Sequence, residues 1–326
     1  MNQKKKIDEN IIINDFLKKL NFSKKETFNF ENDAAILKVP VNKEIIVSHD
    51  ALTENKHFFS SDSPESIALK SIRTNLSDLV SMGATPYCYT MSLCLNNNIN
   101  KYWLKKFTNA LYKEQKKYNF YLLGGDIISS NFISISISAF GLINKGAYIT
   151  RSGAKLNDDI WVTGNIGDSF VGYQILKNKL FIKNKKIKEY FLNSYYYPKP
   201  PIILSHKLSK FMNSAIDISD GFLGDLEKIT SNSLKGATIF SKLIPFSKKL
   251  KFLLKNEKLL INKVLSWGDD YQVIFTSNSK NRLKISKLSK DSKHKITLIG
   301  KINNTKELDF PGFNLKKAKK NYLHVI

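Results

Sequence analysis

An α/β (α+β) fold of two domains is predicted from three features of the sequence. Strand-like and helix-like segments alternate along the chain. The 326 residues exceed the ~150 of an ordinary domain, and the boundary is placed near 147–151, just before the turn-rich Arg151-Ser152-Gly153-Ala154-Lys155. Of five short carboxylate motifs, several fall at predicted strand ends, the usual place for a site on such a scaffold.

Each element has a local reason. Residues 44–50 read as a strand ending in the Asp50 carboxylate. Residues 64–82 read as a helix, with Ser63 as cap, Pro64 in the first turn and Gly83 as the stop. Ile72, Leu76, Leu79 and Val80 form its apolar stripe, and Asn75 and Asp78 share the neighbouring polar face. A second helix spans 101–117. Residues 120–123 form a short strand running into a Gly124-Gly125-Asp126 turn. Ile and Ser alternate strictly from 133 to 138, the mark of a half-buried strand within 132–140. Strands follow at 159–164, 214–218, 271–276 and 295–299, with a helix from 222. The lysine- and tyrosine-rich segment 177–197 reads as an exposed connection or helix pair.

Composition narrows the class. A hydrophobic fraction of 42% with 12% aromatics excludes a disordered chain. Two cysteines, Cys88 and Cys94, require no disulfide framework, which fits a cytoplasmic protein. No run reaches the ~18 apolar residues of a membrane span, and the N-terminus lacks the apolar core of a signal peptide. The net charge of +24 raises nucleic acid as a partner. Only Arg73, Arg151 and Arg282 among the 52 basic residues are arginines, however, and the lysines are scattered. The charge therefore reads as a solvated surface, with no nucleic-acid or membrane partner.

The acidic motifs are more informative: Asn32-Asp33, Ser48-His49-Asp50, Asn75-Leu76-Ser77-Asp78, Gly124-Gly125-Asp126 and Asp217-Ile218-Ser219-Asp220-Gly221. Converging carboxylates repel unless cations compensate, and oxygen-only ligands suit magnesium with a polyphosphate. Each motif alone is as readily a helix cap or turn. No GxxxxGK(S/T), HExxH or CxxC pair is present, which excludes a P-loop enzyme and argues against zinc.

In order along the chain, these motifs resemble the thiamine-monophosphate kinase family, of the superfamily that includes aminoimidazole-ribonucleotide synthetase and selenophosphate synthetase. The resemblance adds Asp33-Ala34-Ala35-Ile36-Leu37, His57-Phe58, Thr150-Arg151-Ser152-Gly153-Ala154-Lys155, Gly167-Asp168-Ser169 and Gly268-Asp269-Asp270-Tyr271. It runs from about residue 30 to 275.

The resemblance implies a two-domain aminoimidazole-ribonucleotide synthetase-like fold with the active site in the interdomain cleft. Residues 1–148 would form the N-terminal domain, carrying most of the ATP and magnesium aspartates and the dimerisation strands. Residues 149–326 would form the C-terminal domain. The implied reaction passes the γ-phosphoryl of ATP directly to thiamine monophosphate, so metal ions and positioning carry the barrier reduction, with no further catalytic side chain. Asp33, Ser48, His49, Asp50, Asp78, Asp126, Asp217 and Asp220 would hold several Mg²⁺ ions. Gly125, Asp126, Arg151 and Ser219 would bind ATP, Gly125 and Asp126 through a closely approaching turn. His57, Asp269 and Tyr322 would contact the substrate. A homodimer through N-terminal strands is implied, with the Ile/Ser strand as a participant. Asn32, His49, Ile127-Ile128, Pro201 and Asp269 depart from the family pattern.

Overall fold

The structure is a computed structural model that describes residues 7–256, 259 and 261–311. Contacts divide it into two compact units, one of residues up to 79 with 85–146, the other of residues 80–84 with 147–311.

The first unit runs α1 (Glu9–Ile12), β1 (Lys43–Thr53), α2 (Pro64–Ser81), β2 (Thr85–Leu95), α3 (Lys101–Tyr118), β3 (Tyr121–Ser129) and β4 (Ser134–Asn144). Its sheet has the order β1-β4-β2-β3, so β1 and β3 are opposite edges. β4 pairs antiparallel with both β1 and β2, while β2 and β3 are parallel. Parallel neighbours need a crossover, and α3 supplies it.

The helix expected over 64–82 forms for the expected reasons. Ser63 Oγ accepts from Ser66 N at 3.1 Å, Pro64 opens the first turn, and the chain leaves the helix at Gly83 with φ +83°. Ile72, Leu76, Leu79 and Val80 are all buried. Asn75 and Asp78 share a polar face as expected, both meeting Ser48 Oγ, and Asn75 is fully buried there. A buried amide must satisfy its hydrogen bonds internally, and Asn75 does so against β1.

β4 shows the alternation read from Ile and Ser. Ile133, Ile135 and Ile137 are buried, and Ser134, Ser136 and Ser138 are half-buried on the other face. A smaller cluster of Cys88, Tyr121 and Leu123 packs under Phe22, Ala35 and Leu37, which seats the 22–37 segment over the β3 edge.

The second unit runs β5 (Asp159–Thr163), α4 (Asp168–Leu176), α5 (Lys185–Tyr196), α6 (Ser205–Ser209), β6 (Ser214–Asp217), α7 (Phe222–Asn232), β7 (Gly236–Ile239), α8 (Lys248–Lys255), α9 (Ile261–Leu265), β8 (Val273–Ser277), α10 (Arg282–Ser292), β9 (Ile296–Asn303) and β10 (Leu308–Asp309). The sheet order is β10-β7-β9-β5-β8-β6. β5 and β8 are buried along their whole length, as the centre of a covered sheet requires. The core gathers Ile160, Val162, Phe170, Phe222, Leu226 and Ile274.

Segment 177–197 is neither an exposed connection nor a helix pair. It holds the single helix α5, which buries Phe191 and Tyr195. Gly172 of α4 makes this packing possible, because a Cβ there would overlap the Phe191 carbonyl. That places Gly172 at a close helix approach.

Candidate active site

On the first unit, β1 and α2 build one polar net. Side chains of Ser48 and Asp50 point to the same face of β1, because strand residues alternate. Ser48 Oγ donates to Asp78 Oδ2 at 2.6 Å and lies 3.3 Å from Asn75 Oδ1. Asn75 Oδ1 also accepts from Asp50 N at 3.1 Å, and its Nδ2 donates to Ser71 O at 3.1 Å. Buried Asn75 thus locks the strand carrying Ser48 and Asp50 to the helix carrying Asp78. Asp50 and Asp78 are half-buried, which leaves them in reach of a ligand.

His49 lies between them but points the other way. Its Nδ1 sits 2.8 Å from Ser138 Oγ and its Nε2 3.2 Å from Ser136 Oγ, on the open face of β4. His57 lies in the turn after β1. Its Nδ1 accepts from Thr53 N at 3.0 Å, so a neutral ring carries its proton on Nε2.

The opposite edge of the sheet carries a second group. Gly124, Gly125 and Asp126 lie inside β3 rather than in a turn, in a parallel ladder against Thr90, Met91 and Ser92. The glycine is required for a different close approach from the one expected. A Cβ at Gly125 would overlap the Met91 carbonyl oxygen of the neighbouring strand. The ladder shifts register between Tyr89 and Thr90, just before this point. Such irregularities re-aim side chains near sites. A cleft of about 160 Å³ opens here, lined by Phe30, Asn32, Asp33, Gly125 and Asp126 among others. Asp33 and Asp126, distant in sequence, therefore share one cleft and are both exposed. Phe28, Asn29 and Phe30 before Asp33 take φ of +44°, +57° and +62°, a strained run of the kind found at functional loops.

On the second unit, Asp217 ends β6 and is buried. Ser219 and Asp220 follow in the connection to α7, both half-buried. Ser219 O accepts from Asp269 N at 3.0 Å, and Ile218 O accepts from Tyr271 N at 2.9 Å, so the 217–220 and 269–271 motifs form one paired patch. Asp269 has φ +64°, and its Oδ1 accepts from Tyr271 Oη at 3.0 Å. Arg151 is exposed. Tyr322 lies outside the described residues. Within each unit, among the described residues, no three His, Cys, Asp or Glu side chains form a ready metal cage.

Sequence reasoning missed a sealed acidic cluster beside Asp269. Asp270 Oδ2 accepts from Gly167 N at 2.7 Å and Oδ1 from Ser169 Oγ at 2.9 Å. Burial pushes the Asp270 carboxyl up to about 8, against those two hydrogen bonds. Asp168 is also raised by burial, although Ser247 Oγ and Tyr190 Oη both donate to it at 2.7 Å. The signal was available, since Gly167-Asp168-Ser169 and Asp269-Asp270 were both visible as motifs. Their mutual contact was not.

The four-stranded sheet and its carboxylate-lined cleft lie in the part of the chain that is similar to AIR synthase-related proteins. The model of the AIR synthase related protein N-terminal domain matches residues 31–143. The thiamine-monophosphate kinase of Buchnera aphidicola subsp. Acyrthosiphon pisum (strain APS) is 38% identical over 284 residues, covering 87% of this chain and 86% of the relative. That of Escherichia coli (strain K12) is 37% identical over 251 residues, covering 77% and 76%. The crystal structure of thiamine-monophosphate kinase from Stenotrophomonas maltophilia K279a superposes with a TM-score of 0.80 at 29% identity, covering 86% of this chain and 90% of that one. AaThiL complexed with AMPPCP and TMP superposes with a TM-score of 0.77 at 25% identity, covering 89% and 91%. The chain belongs to the thiamine-monophosphate kinase family, and it is an enzyme.

Proposed function

We propose that this chain transfers the γ-phosphoryl of ATP to the phosphate of thiamine monophosphate, giving thiamine diphosphate and ADP. The observation that carries this is 38% identity to a thiamine-monophosphate kinase over 284 residues, 87% of the chain. The solved neighbour that carries AMPPCP and TMP supports the same pair of substrates.

The acceptor phosphate is already an anion near neutral pH, so the task is to bring two anions together rather than to remove a proton. Oxygen-only donors fit magnesium, which favours carboxylates shared with substrate phosphates. Asp33, Ser48, Asp50, Asp78 and Asp126 on the first unit, and Asp217 and Asp220 on the second, would hold several Mg²⁺ ions. His49 would join through its main-chain carbonyl, since its ring faces the β4 serines. Bound magnesium would supply the positive charge that screens the approaching phosphates.

The chain's own groups do the positioning. Ser48 and Asn75 fix Asp78 and the Asp50 strand. Gly125 and Asp126 would meet ATP along the β3 edge, with Ser219 donating to it. Arg151 would clamp a phosphate with its planar fork. His57 Nε2–H would donate to the thiamine phosphate, and Asp269 and Tyr322 would face the organic part of the substrate. A homodimer would bury the open sheet face bearing Ser134, Ser136 and Ser138. Free Cys88 and Cys94 fit a cytoplasmic setting, with no nucleic-acid or membrane partner. Among the described residues no helix is long and apolar enough to cross a membrane.

The test is incubation of the purified protein with Mg-ATP and thiamine monophosphate, resolving products beside a control without acceptor. Thiamine diphosphate forming in step with ADP is expected. ADP without thiamine diphosphate would reject the acceptor.

A further inference from the structure

We propose that Lys228 is a built-in competitor for the metal ion at Asp220, making that ion the weakest held of the set and dependent on the nucleotide. The proposal rests on Asp220 being a magnesium ligand, as read above.

Lys228 lies on α7 and reaches back over the β6–α7 connection. Its Nζ donates to Asp220 Oδ2 at 2.7 Å and to Asp225 Oδ1 at 2.8 Å. Asp225 is fully buried, and its Oδ2 accepts from the main-chain N–H of Asp220 and of Gly221, each at 3.1 Å. A charge sealed in this way is costly unless paired, and Lys228 pairs it. Asp220 shares the same ammonium while its side chain stays 40% exposed.

The ammonium therefore holds the space between the Asp220 and Asp225 carboxylates. It occupies one of the two Asp220 oxygens, so a two-oxygen grip on a metal is blocked. An ion on the remaining oxygen sits beside a positive charge that Asp225 holds in place. At such separations in a half-buried setting, bulk salt screens this repulsion poorly. The polyphosphate brings the extra oxygens and negative charge that offset it. Asp33 and Asp126 on the first unit have no such ammonium: neither forms an ion pair with a described residue.

Mn²⁺ is the probe, with free ion counted by electron paramagnetic resonance on the full chain. Without nucleotide, Lys228→Met is expected to bind one Mn²⁺ at least about tenfold more tightly than the unmodified protein. Adding Asp220→Asn to Lys228→Met should abolish that gain. Lys228→Arg should keep the unmodified isotherm. Removing Lys228 strands the Asp225 charge, so the Asp225→Asn/Lys228→Met pair repeats the test without that penalty. Identical isotherms with and without Lys228, or a gain that survives Asp220→Asn, would overturn the proposal. With ATP present, Asp220→Asn alone should lose one Mn²⁺. An unchanged count there would instead remove Asp220 from the metal ligands altogether, and the proposal with it.

Discussion

Asp33 and Asp126 of the first unit are exposed, whereas Asp159, Asp168, Asp225 and Asp270 of the second are each at most 8% exposed. The exposed pair has little to neutralise it inside the chain. Among the described residues, Asp126 Oδ1 accepts only from its neighbour Ile127 N, at 2.9 Å. Each sealed carboxylate has its own answer to burial. Arg282 grips Asp159 through two bonds of 2.6 Å, Lys228 neutralises Asp225, Tyr190 and Ser247 bond Asp168, and Asp270 is held as the acid. One residue type thus serves two ends. An open carboxylate keeps charge available for an external cation, and a sealed one ties segments together. Asp217, buried at the end of β6, is the one proposed carboxylate ligand that is sealed.

The largest effect expected from this contrast is on turnover. Asp126→Asn should lower thiamine diphosphate formation at least about 10²-fold, with stability unchanged within about 0.5 kcal/mol. A steady-state assay beside thermal melting checks both. Next comes the sealed side. Arg282→Met should leave buried Asp159 without its cation and lower stability by about 1–3 kcal/mol in chemical denaturation. Activity per folded molecule should stay the same. If the two variants exchanged these signatures, the contrast would be broken.

Asn75→Ala belongs to both classes, because the side chain is buried yet positions the open ligands. A loss of about 1 kcal/mol in stability is expected, together with weaker Mn²⁺ binding. Asp78 was visible as part of an Asn-Leu-Ser-Asp motif; its contact through Ser48 with buried Asn75 was not, because residue spacing gives the face of a helix but not what packs on it. Gly124-Gly125-Asp126 shows the same limit. Glycines read as a turn, and only the neighbouring strand reveals that Gly125 makes room for Met91 within a ladder. The alternating Ile/Ser strand and the helix read over 64–82 were legible, since local periodicity and caps determine them; the strand ends were not, since β1 continues past Asp50 to Thr53 and β3 past Leu123 to Ser129. The Asp168–Asp270 cluster joins residues about 100 apart, beyond any local pattern.

The smallest effect concerns pH. In the folded chain Asp270 keeps its proton up to about 8, while an unfolded aspartate ionises near 4. The folded state therefore holds the extra proton between these values. This group's favourable contribution is complete below about 4 and is lost as pH rises through about 8. Asp270→Asn can accept from Gly167 N with its amide oxygen and donate to Ser169 Oγ with its nitrogen, and it does not titrate. Its melting temperature should vary less between pH 5 and pH 8 than that of the unmodified chain, by calorimetry across buffers. An equally steep profile would remove Asp270 as its source.

The most direct single measurement is the Mn²⁺ complement of four variants at saturating ATP, each melted in parallel. Asp33→Asn and Asp126→Asn should each lose bound Mn²⁺ and melt like the unmodified chain. Asp159→Asn and Asp168→Asn should keep the full complement and melt lower. A full complement in Asp33→Asn and Asp126→Asn would contradict the assignment of the open carboxylates to the metal.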